Sequence, residues 1–262
     1  MANQTVGHKA LDLIRRTYSI FVVLAAWEIV SHSGWVSPRL TPGIEKIVVE
    51  FWGLVTSGDL LFHGRITLQR AFIGFGLAIV GGIALGTLMA RIRWFDILFE
   101  PLFSFGYPVP KISLYPVFIF VFGFGDLSKI MLIFLECLYP ITVHTYYGMK
   151  SAERVLVWAS RNMGANSQQL FWRVLVPSAA PTIFSGLRIA VPVALIVTII
   201  TEIIGESKGL GYIVSFSAAQ FEYGRSLAAM FSIGVVGFVI DRLLIALRKH
   251  IIFWQKDSMP IV

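Results

Sequence analysis

Charged side chains inside long apolar stretches are the first candidates for function in this chain. Lys111 and Glu136 each stand within such a stretch, where an ionised group is expensive in lipid and therefore informative. At helical rise, Lys111 lies roughly 20 Å and Glu136 roughly 14 Å from opposite membrane faces. In a hydrocarbon core about 30 Å thick, the two depths nearly coincide. Three interpretations stay open: the two side chains pair with each other, they flank a path for a polar solute, or they have separate structural roles.

Polar groups near these two charges extend the candidate path. Glu136, Pro140 and His144 follow one another at intervals of four residues, so they share one face of a helix. That face is expected to point into the protein, because lipid would not accommodate Glu136. His144 has the alternative role of a packing histidine. Tyr115 and Tyr139 place hydroxyls at similar depth, and the full set of candidates for solute contact is Lys111, Tyr115, Glu136, Tyr139 and His144.

The composition indicates that these residues lie in a membrane. Of 262 residues, 56% are apolar and 14% are charged, whereas about a quarter of the residues of a soluble domain are charged. We predict a single all-α integral membrane domain over residues 1–262, because backbone polar groups in lipid must be satisfied within the helix. The net charge of +7 is attributed to membrane topology and not to a nucleic-acid partner. Cys137 is the only cysteine, so an intramolecular disulfide is excluded.

Six apolar segments are long enough to cross a bilayer as helices. Their predicted bounds are 18–34, 68–90, 97–123, 127–147, 179–204 and 226–248. With the N-terminus in the cytoplasm, about twice as many Lys and Arg residues fall on the inner side as on the outer side, which the positive-inside rule favours. Both termini are therefore predicted to be cytoplasmic. The outer loops then cover 35–67, 124–126 and 205–225, and the inner loop between the fourth and fifth spans covers 148–178.

The third apolar segment is predicted to be a broken helix that lines a cavity. It contains four prolines, Pro101, Pro108, Pro110 and Pro116. A helix cannot keep its hydrogen-bond ladder through that many prolines, and broken helices at membrane depth are tolerated mainly beside a cavity or under a cover of protein.

The second apolar segment carries a different pattern. Its residues Gly82 and Gly86 form a GxxxG pair, which predicts close packing against another helix.

Two outer regions are predicted to be ordered: a segment after the first span, and Gly205–Arg225, which is a docking surface, a gate element or a re-entrant loop. Apolar residues recur at helical spacing after the Thr41-Pro42-Gly43 turn, which indicates an amphipathic helix along the outer membrane surface. These residues are Ile44, Ile47, Val48, Phe51 and Val55. Glu28 and Glu202 stand at the outer ends of the first and fifth spans. Both are expected to anchor their spans rather than to contact a solute.

The inner loop carries the spacing on which a family resemblance depends. Trp158-Ala159-Ser160 is followed by three residues, then Gly164, nine more residues, and Val174-Leu175-Val176-Pro177. The spacing resembles the cytoplasmic signature of the permease subunits of bacterial ABC importers, which reads E-A-A, three residues, Gly, nine residues, I-x-L-P. The resemblance implies that this loop contacts an ATPase. The residues so assigned are Ala159, Ser160, Arg161, Asn162, Met163, Gly164, Ala165, Gln168, Gln169, Phe171 and Pro177.

Further resemblance points to the nitrate, sulfonate and taurine branch of these permeases. The matching stretches are Pro108–Pro116, Phe122–Lys129, Glu202–Tyr212 and Asp241–Leu244, and the similarity extends over about residues 65–254. The implied fold is the six-helix fold of a type I ABC importer permease in the bacterial cytoplasmic membrane. The implied function is alternating-access import of a small polar solute, such as a nitrate-, sulfonate- or taurine-like anion or a related organic molecule.

The resemblance also implies partners. A second copy of the chain, two cytoplasmic ABC ATPase subunits and an extracytoplasmic binding protein are expected to join it in the bilayer. The chain is expected to be a non-catalytic subunit that binds neither cofactor nor metal, with ATP and Mg²⁺ held by the ATPase. In agreement, the sequence contains no GxxxxGK[ST] phosphate-binding motif.

Two other classes of membrane protein are alternatives to an importer permease. An intramembrane serine protease needs a GxSG serine and a partner histidine, but Ser185-Gly186 follows Ile183-Phe184 and the sixth segment has no histidine. An ion-coupled secondary transporter or channel, acting through Lys111 and Glu136, is the remaining alternative. The loop signature disfavours it, because neither a channel nor a secondary transporter needs an ATPase contact. The sequence does not identify the solute.

Overall fold

The computed structural model describes residues 18–106 and 109–254, and the regular elements within those ranges are all helical. The predicted all-α class is thereby confirmed. In chain order the elements are α1 (Tyr18–His32), α2 (Ile44–Thr56), α3 (Asp59–Arg91), α4 (Arg93–Gly106), a 3₁₀ turn (Lys111–Leu114), α5 (Tyr115–Phe122), α6 (Asp126–Lys150), α7 (Arg154–Asn162), α8 (Ser167–Leu170), a π turn (Phe171–Leu175), α9 (Val176–Ile203), α10 (Leu210–Ala219) and α11 (Tyr223–Ile251).

Four of the described helices are long and apolar enough to cross a membrane. They are Asp59–Arg91, Asp126–Lys150, the continuous helical stretch Ser167–Ile203, and Tyr223–Ile251. A fifth crossing is possible if α4 and the helical turns over Lys111–Phe122 form one broken span. The described part of α1 is shorter than a span. The described helices therefore give four or five crossings, and the count of six stays a prediction.

The third predicted span is broken where its prolines are clustered. α4 and the segment Lys111–Phe122 are bent by 97° relative to each other. Pro110 caps the 3₁₀ turn and Pro116 lies in the first turn of α5, where a missing N–H is tolerated. Pro101 lies inside α4 without ending it, and Pro108 lies outside the described residues. The predicted broken helix is confirmed.

The helix of the fifth predicted span begins earlier than residue 179. The helical stretch starts at Ser167 and runs through Pro177 to Ile203. The backbone N–H of Val176 donates to the carbonyl of Phe171, five residues back, and so forms the wide π turn. Because Pro177 follows this wide turn in the first turn of α9, its missing N–H does not interrupt the helix. Pro177 therefore does not separate the inner loop from the span.

Helices α3 and α6 pack through a row of small residues on α3. A Cβ atom added to Gly82 would lie 2.7 Å from Ile141 Cγ2, and one added to Gly86 would lie 2.6 Å from the carbonyl oxygen of Thr142. Gly74 and Ala78, which is fully buried, continue this row at intervals of four residues. The close packing predicted from the GxxxG pair is confirmed.

The chain divides into two compact units. One comprises Met1–Leu61 and Ile213–Ser232, and in it the Glu28 carboxylate accepts a hydrogen bond of 3.1 Å from the first backbone N–H of α2, on Ile44. The helix predicted after Gly43 is present as α2. The other unit comprises Phe62–Tyr212 and Ile233–Val262, and its core is built mainly from α6 and α9.

The glycine row gives a test of the α3–α6 packing. Gly86→Ala places a methyl group against the backbone of Thr142 and should lower the free energy of unfolding by about 1–3 kcal/mol, as overpacking does. Gly76→Ala is the matched control, because its added Cβ meets no atom within 4 Å. That control should be neutral or slightly more stable. Thermal unfolding of the detergent-solubilised proteins measures the difference, and equal melting temperatures for the two variants would contradict the packing.

Candidate functional site

A cleft of about 500 Å³ brings together four of the five residues predicted to contact a solute. Lys111 enters from the 3₁₀ turn after the bend, while Glu136, Tyr139 and His144 come from one face of α6. The remaining wall is apolar and includes Ile189 and Val193 of α9. The helical period of α6 and the bend after α4 therefore create a cleft that carries one cationic and one anionic side chain.

Lys111 and Glu136 do not pair directly. Within the described residues, no ion pair of 4.0 Å or less joins them. The Nζ atom of Lys111 instead lies 4.9 Å from the centroid of the Tyr139 ring, at cation–π distance. Both charged groups consequently line the same cleft without neutralising each other by contact.

The other two predicted path residues have their polar atoms engaged. His144 Nδ1 lies 2.8 Å from the carbonyl oxygen of Pro140. A carbonyl can only accept, so Nδ1 carries the proton, which leaves Nε2 as an acceptor whenever the ring is neutral. Tyr115 is only 3% exposed and lies away from the cleft lining. Its hydroxyl donates to the carbonyl of Thr201 at 3.3 Å, which joins α5 to the end of α9.

The predicted ATPase-contacting residues lie in a short helix–turn–helix segment, Arg154–Pro177, which we call the coupling segment. α7 ends at Asn162, and Gly164 follows with φ of +80°, a left-handed conformation that suits glycine. Asn166 then caps α8: its side chain accepts from the Gln169 N–H at 2.8 Å, and the Gln169 side chain accepts from the Asn166 N–H at 2.9 Å. Gln169 therefore has a structural role in the turn.

The coupling segment exposes large apolar side chains. Trp158 is 63% exposed and Met163 is 80% exposed, and Trp172 is also exposed. Ala159, Ser160, Arg161 and Asn162 complete α7, while Ala165, Gln168 and Phe171 follow Gly164. Exposed apolar side chains grouped in this way are typical of surfaces that contact another protein or the membrane.

A buried charge cluster, which the sequence reasoning missed, lies at the other end of the bundle. We use this name for Arg70, Asp126, Lys129, Glu202 and Glu206. The Arg70 guanidinium contacts Asp126 at 2.6 Å, Glu202 at 2.9 Å and Glu206 at 2.9 Å, and Lys129 Nζ contacts Glu206 at 2.9 Å. Arg70, Lys129 and Glu202 are almost wholly buried. The available signal was Arg70, a cation inside the predicted span 68–90.

The turn after α9 folds over Glu202. The Thr67 hydroxyl donates to Glu202 at 2.8 Å and accepts from the N–H of Leu210 at 2.8 Å, and the N–H of Gly211 donates to Glu202 at 3.0 Å. Gly209 has φ of +112°, and a Cβ there would occupy the space of the Glu202 carboxylate. Glycine is therefore required at position 209. The contacts of Glu202 agree with the anchoring role expected for it.

Glu206 is the member of the cluster that lies in the turn beyond α9. Burial acts to raise the pKa of Glu206, but the hydrogen bond and charge of Lys129, followed by those of Arg70, lower it by more. The pKa of Glu206 consequently lies below the ordinary value of 4.5. This carboxylate therefore stays ionised and holds α6 and α3 through two cations.

One group of described residues has metal-ligand chemistry. Glu28, His32 and Glu45 can each offer one ligand atom, and these atoms lie within 4.8 Å of one another. The group is largely exposed, with His32 Nδ1 3.4 Å from Glu28 and His32 Nε2 3.9 Å from Glu45. The Glu28 carboxylate also accepts the hydrogen bond from the first backbone N–H of α2.

Comparison with known proteins gives a family profile and several full-length relatives. The profile described as "Binding-protein-dependent transport system inner membrane component" matches residues 78–252. The formylaminopyrimidine transport permease protein ThiX of Halalkalibacterium halodurans is 33% identical over 251 residues, which is 95% of this chain and 99% of that protein. The taurine transport system permease protein TauC of Escherichia coli is 27% identical over 91% of this chain and 89% of its own length.

A solved structure shares the fold. It is an inward-facing conformation of the MetNI methionine ABC transporter, with a TM-score of 0.59 and 20% sequence identity. The match covers 77% of this chain and 95% of the MetNI chain. The permease fold of type I that the loop resemblance implied is confirmed.

The low pKa of Glu206 predicts how acid affects stability. A carboxyl whose pKa is lower in the folded than in the unfolded protein stabilises the fold above the unfolded value and loses that effect as the pH falls through the folded value. The wild type should melt above Glu206→Gln at about pH 7, and the difference should shrink below about pH 4.5. Glu222→Gln, at an exposed glutamate, controls for the loss of a carboxylate. A difference that persists unchanged through acid pH would contradict this assignment.

Proposed function

Because this chain belongs to the family of binding-protein-dependent transport system inner membrane components, we propose that it forms the solute path of an ATP-driven importer for a small polar organic molecule. The chain is a permease subunit and crosses the membrane several times. Family membership disfavours the ion-coupled transporter or channel. The single observation that carries the mechanism is the coupling segment, a short exposed helix and turn held by Gly164 and the Asn166–Gln169 cap.

The coupling segment is the surface for the ATPase in this proposal. Its side chains Trp158 and Met163 are exposed and apolar, which suits burial in a groove of a partner protein. The partner ATPase binds ATP and Mg²⁺, and two such subunits act on two copies of this chain. Closure of the ATPase pair on ATP then displaces the two coupling segments and converts the solute path from inward-facing to outward-facing.

In the proposed orientation, which the distribution of basic residues supports, the buried charge cluster lies on the outer side. Both termini and the coupling segment face the cytoplasm, where Lys and Arg concentrate in membrane proteins. The turn over Glu202 and the cleft of about 400 Å³ beside it, lined by Gln69, Asp126 and Lys208, then face the extracytoplasmic binding protein. That protein delivers the solute to the path.

The cleft around Lys111 and Glu136 is the proposed solute path. It carries a cation, an anion, an aromatic ring and a histidine acceptor, a set that suits a small hydrogen-bonding solute better than a bare inorganic anion, which Glu136 would repel. The names of ThiX and TauC concern a formylaminopyrimidine and taurine, both small polar organic molecules. We propose the same class for this chain.

Assembly with an ATPase tests the coupling segment. Co-expression with the ABC ATPase encoded nearest to this chain should give a stoichiometric membrane complex that hydrolyses ATP. Gly164→Val should lose or uncouple the complex, because a left-handed conformation costs a residue with a side chain about 1–2 kcal/mol and more when it is branched. Gly164→Asn is the matched control, because asparagine tolerates that conformation. A Cβ atom added at Gly164 would meet no atom within 4 Å. Steric crowding therefore does not contribute to the difference between the Val and Asn variants. A Val variant that couples as well as the Asn variant would overturn the assignment.

Neutral substitutions test the two charges of the cleft. Lys111→Met and Glu136→Gln should each lower uptake of labelled taurine or formylaminopyrimidine, whichever the complex carries. Their coupling energy in the double variant should stay below about 1 kcal/mol, because the two charges attract each other across one cleft without an ion-pair contact. A larger coupling energy would establish direct pairing instead, and unchanged uptake in both variants would remove them from the path.

A further inference from the structure

The coupling segment meets α3 through a stacked pair of side chains. Arg91 is the last residue of α3, and its guanidinium carbon lies 4.7 Å from the centroid of the Phe171 ring. A guanidinium over an aromatic face is attracted by the ring quadrupole and fits it as a flat group. Phe171 is the first residue of the π turn through which the coupling segment leads into α9. The stack therefore connects α3 to the junction of the coupling segment with α9.

The two partners differ in how firmly they are held. Phe171 is half-buried and packs against the apolar core, and the neighbouring Leu170 is buried. Arg91 is exposed. The π turn that begins at Phe171 is a wide, rarely used helical turn, and such turns occur often at functional sites. A shift of this turn consequently moves an aromatic ring on which the end of α3 rests.

Helix α3 can transmit a displacement from one of its ends to the other. It has 33 residues, which is about 50 Å at helical rise. Its small residues lock it against α6, so the two helices cannot slide independently without clashes at Gly82 and Gly86. At the far end, Thr67 and Arg70 hold Glu202 and the turn that covers it. A displacement applied at Arg91 is therefore delivered to the buried charge cluster.

We propose that Arg91 is a positioning residue that transmits movement of the coupling segment to α3 through its stack on Phe171. This proposal rests on the proposed contact between the coupling segment and the ATPase. Arg91 contacts neither nucleotide nor solute in this mechanism. Its role is to make the far end of α3 respond when ATP closes the ATPase pair.

The experiment follows the far end of α3 in the assembled complex, without any need to know the solute. Gln69 is exposed beside Arg70, so Gln69→Cys accepts a spin label, while the native Cys137 is fully buried. The distance between the two labels of the permease dimer is measured by pulsed electron spin resonance without nucleotide and with ATP and vanadate. Complexes with equal ATPase content are compared. The wild type should show two label distances whose populations shift on trapping.

Arg91→Ala should reduce the ratio of shifted to unshifted complexes about two- to fivefold, the factor that one partly exposed cation–π contact supplies. Arg91→Lys should retain part of the shift, because an ammonium group also binds an aromatic face. Arg93→Ala is the matched control, since it removes an exposed arginine of the same region. Phe171→Leu should reproduce the effect of Arg91→Ala, and the double variant should add nothing to it.

The outcomes separate this proposal from the one on which it rests. An Arg91→Ala complex that shifts like the wild type overturns the transmission role while leaving the ATPase contact standing. Equal losses in Arg91→Ala and Arg93→Ala also overturn it, because they indicate a general effect of charge. A wild type that assembles with no ATPase, or whose labels do not shift, overturns the coupling-segment proposal itself.

Discussion

The structure depends on the contacts of Arg70, a cation buried among three carboxylates. Charges taken out of water are stable only when each has its partners at fixed positions, and removal of one partner typically costs about 3–5 kcal/mol. The partners of Arg70 come from separate parts of the chain: Asp126 begins α6, Glu202 ends α9, and Glu206 lies in the following turn. The relative positions of α3, α6 and α9 are therefore fixed at this end by charge and hydrogen-bond geometry, in addition to packing.

The opposite end of α3 is held differently. There the close contacts are those of small residues, such as Gly86 against the Thr142 backbone, and the contact with the coupling segment is a stack of one side chain on another. A single cation–π contact at the surface contributes about 0.5–1 kcal/mol, far less than a buried ion pair loses when it is broken. At one end α3 is thus fixed to α6 and α9, so that the three helices move together, while at the other end its stack on the coupling segment can be exchanged at low cost.

The sequence predicted those features that depend on spacing along the chain. Glu136 and His144 share a face because the helical period is constant. Gly164 is predicted because the spacing of the loop signature calls for a glycine at that position. The charge cluster could not be predicted in the same way, because Arg70 and Glu202 are 132 residues apart and their pairing depends on how the helices pack. Tyr115 is predicted from its depth alone, whereas its hydroxyl donates to the Thr201 carbonyl and its ring does not line the cleft. The predicted bounds 148–178 place Pro177 at the end of the inner loop, but the wide π turn before it lets the helix continue through this proline.

The cleft illustrates why its polar residues occur in one stretch of α6. Pro140 has no N–H, so the carbonyl of Glu136, four residues earlier, loses its helical donor. The carbonyl of Pro140 is in turn used by His144. One stretch of the helix therefore carries an ionisable side chain, a carbonyl without its helical bond and a histidine acceptor. Such a concentration of polar groups is unstable against lipid and is tolerated where the backbone lines a cavity. The same residues that make this part of α6 unsuitable for a lipid-facing surface make it suitable for the wall of a polar path.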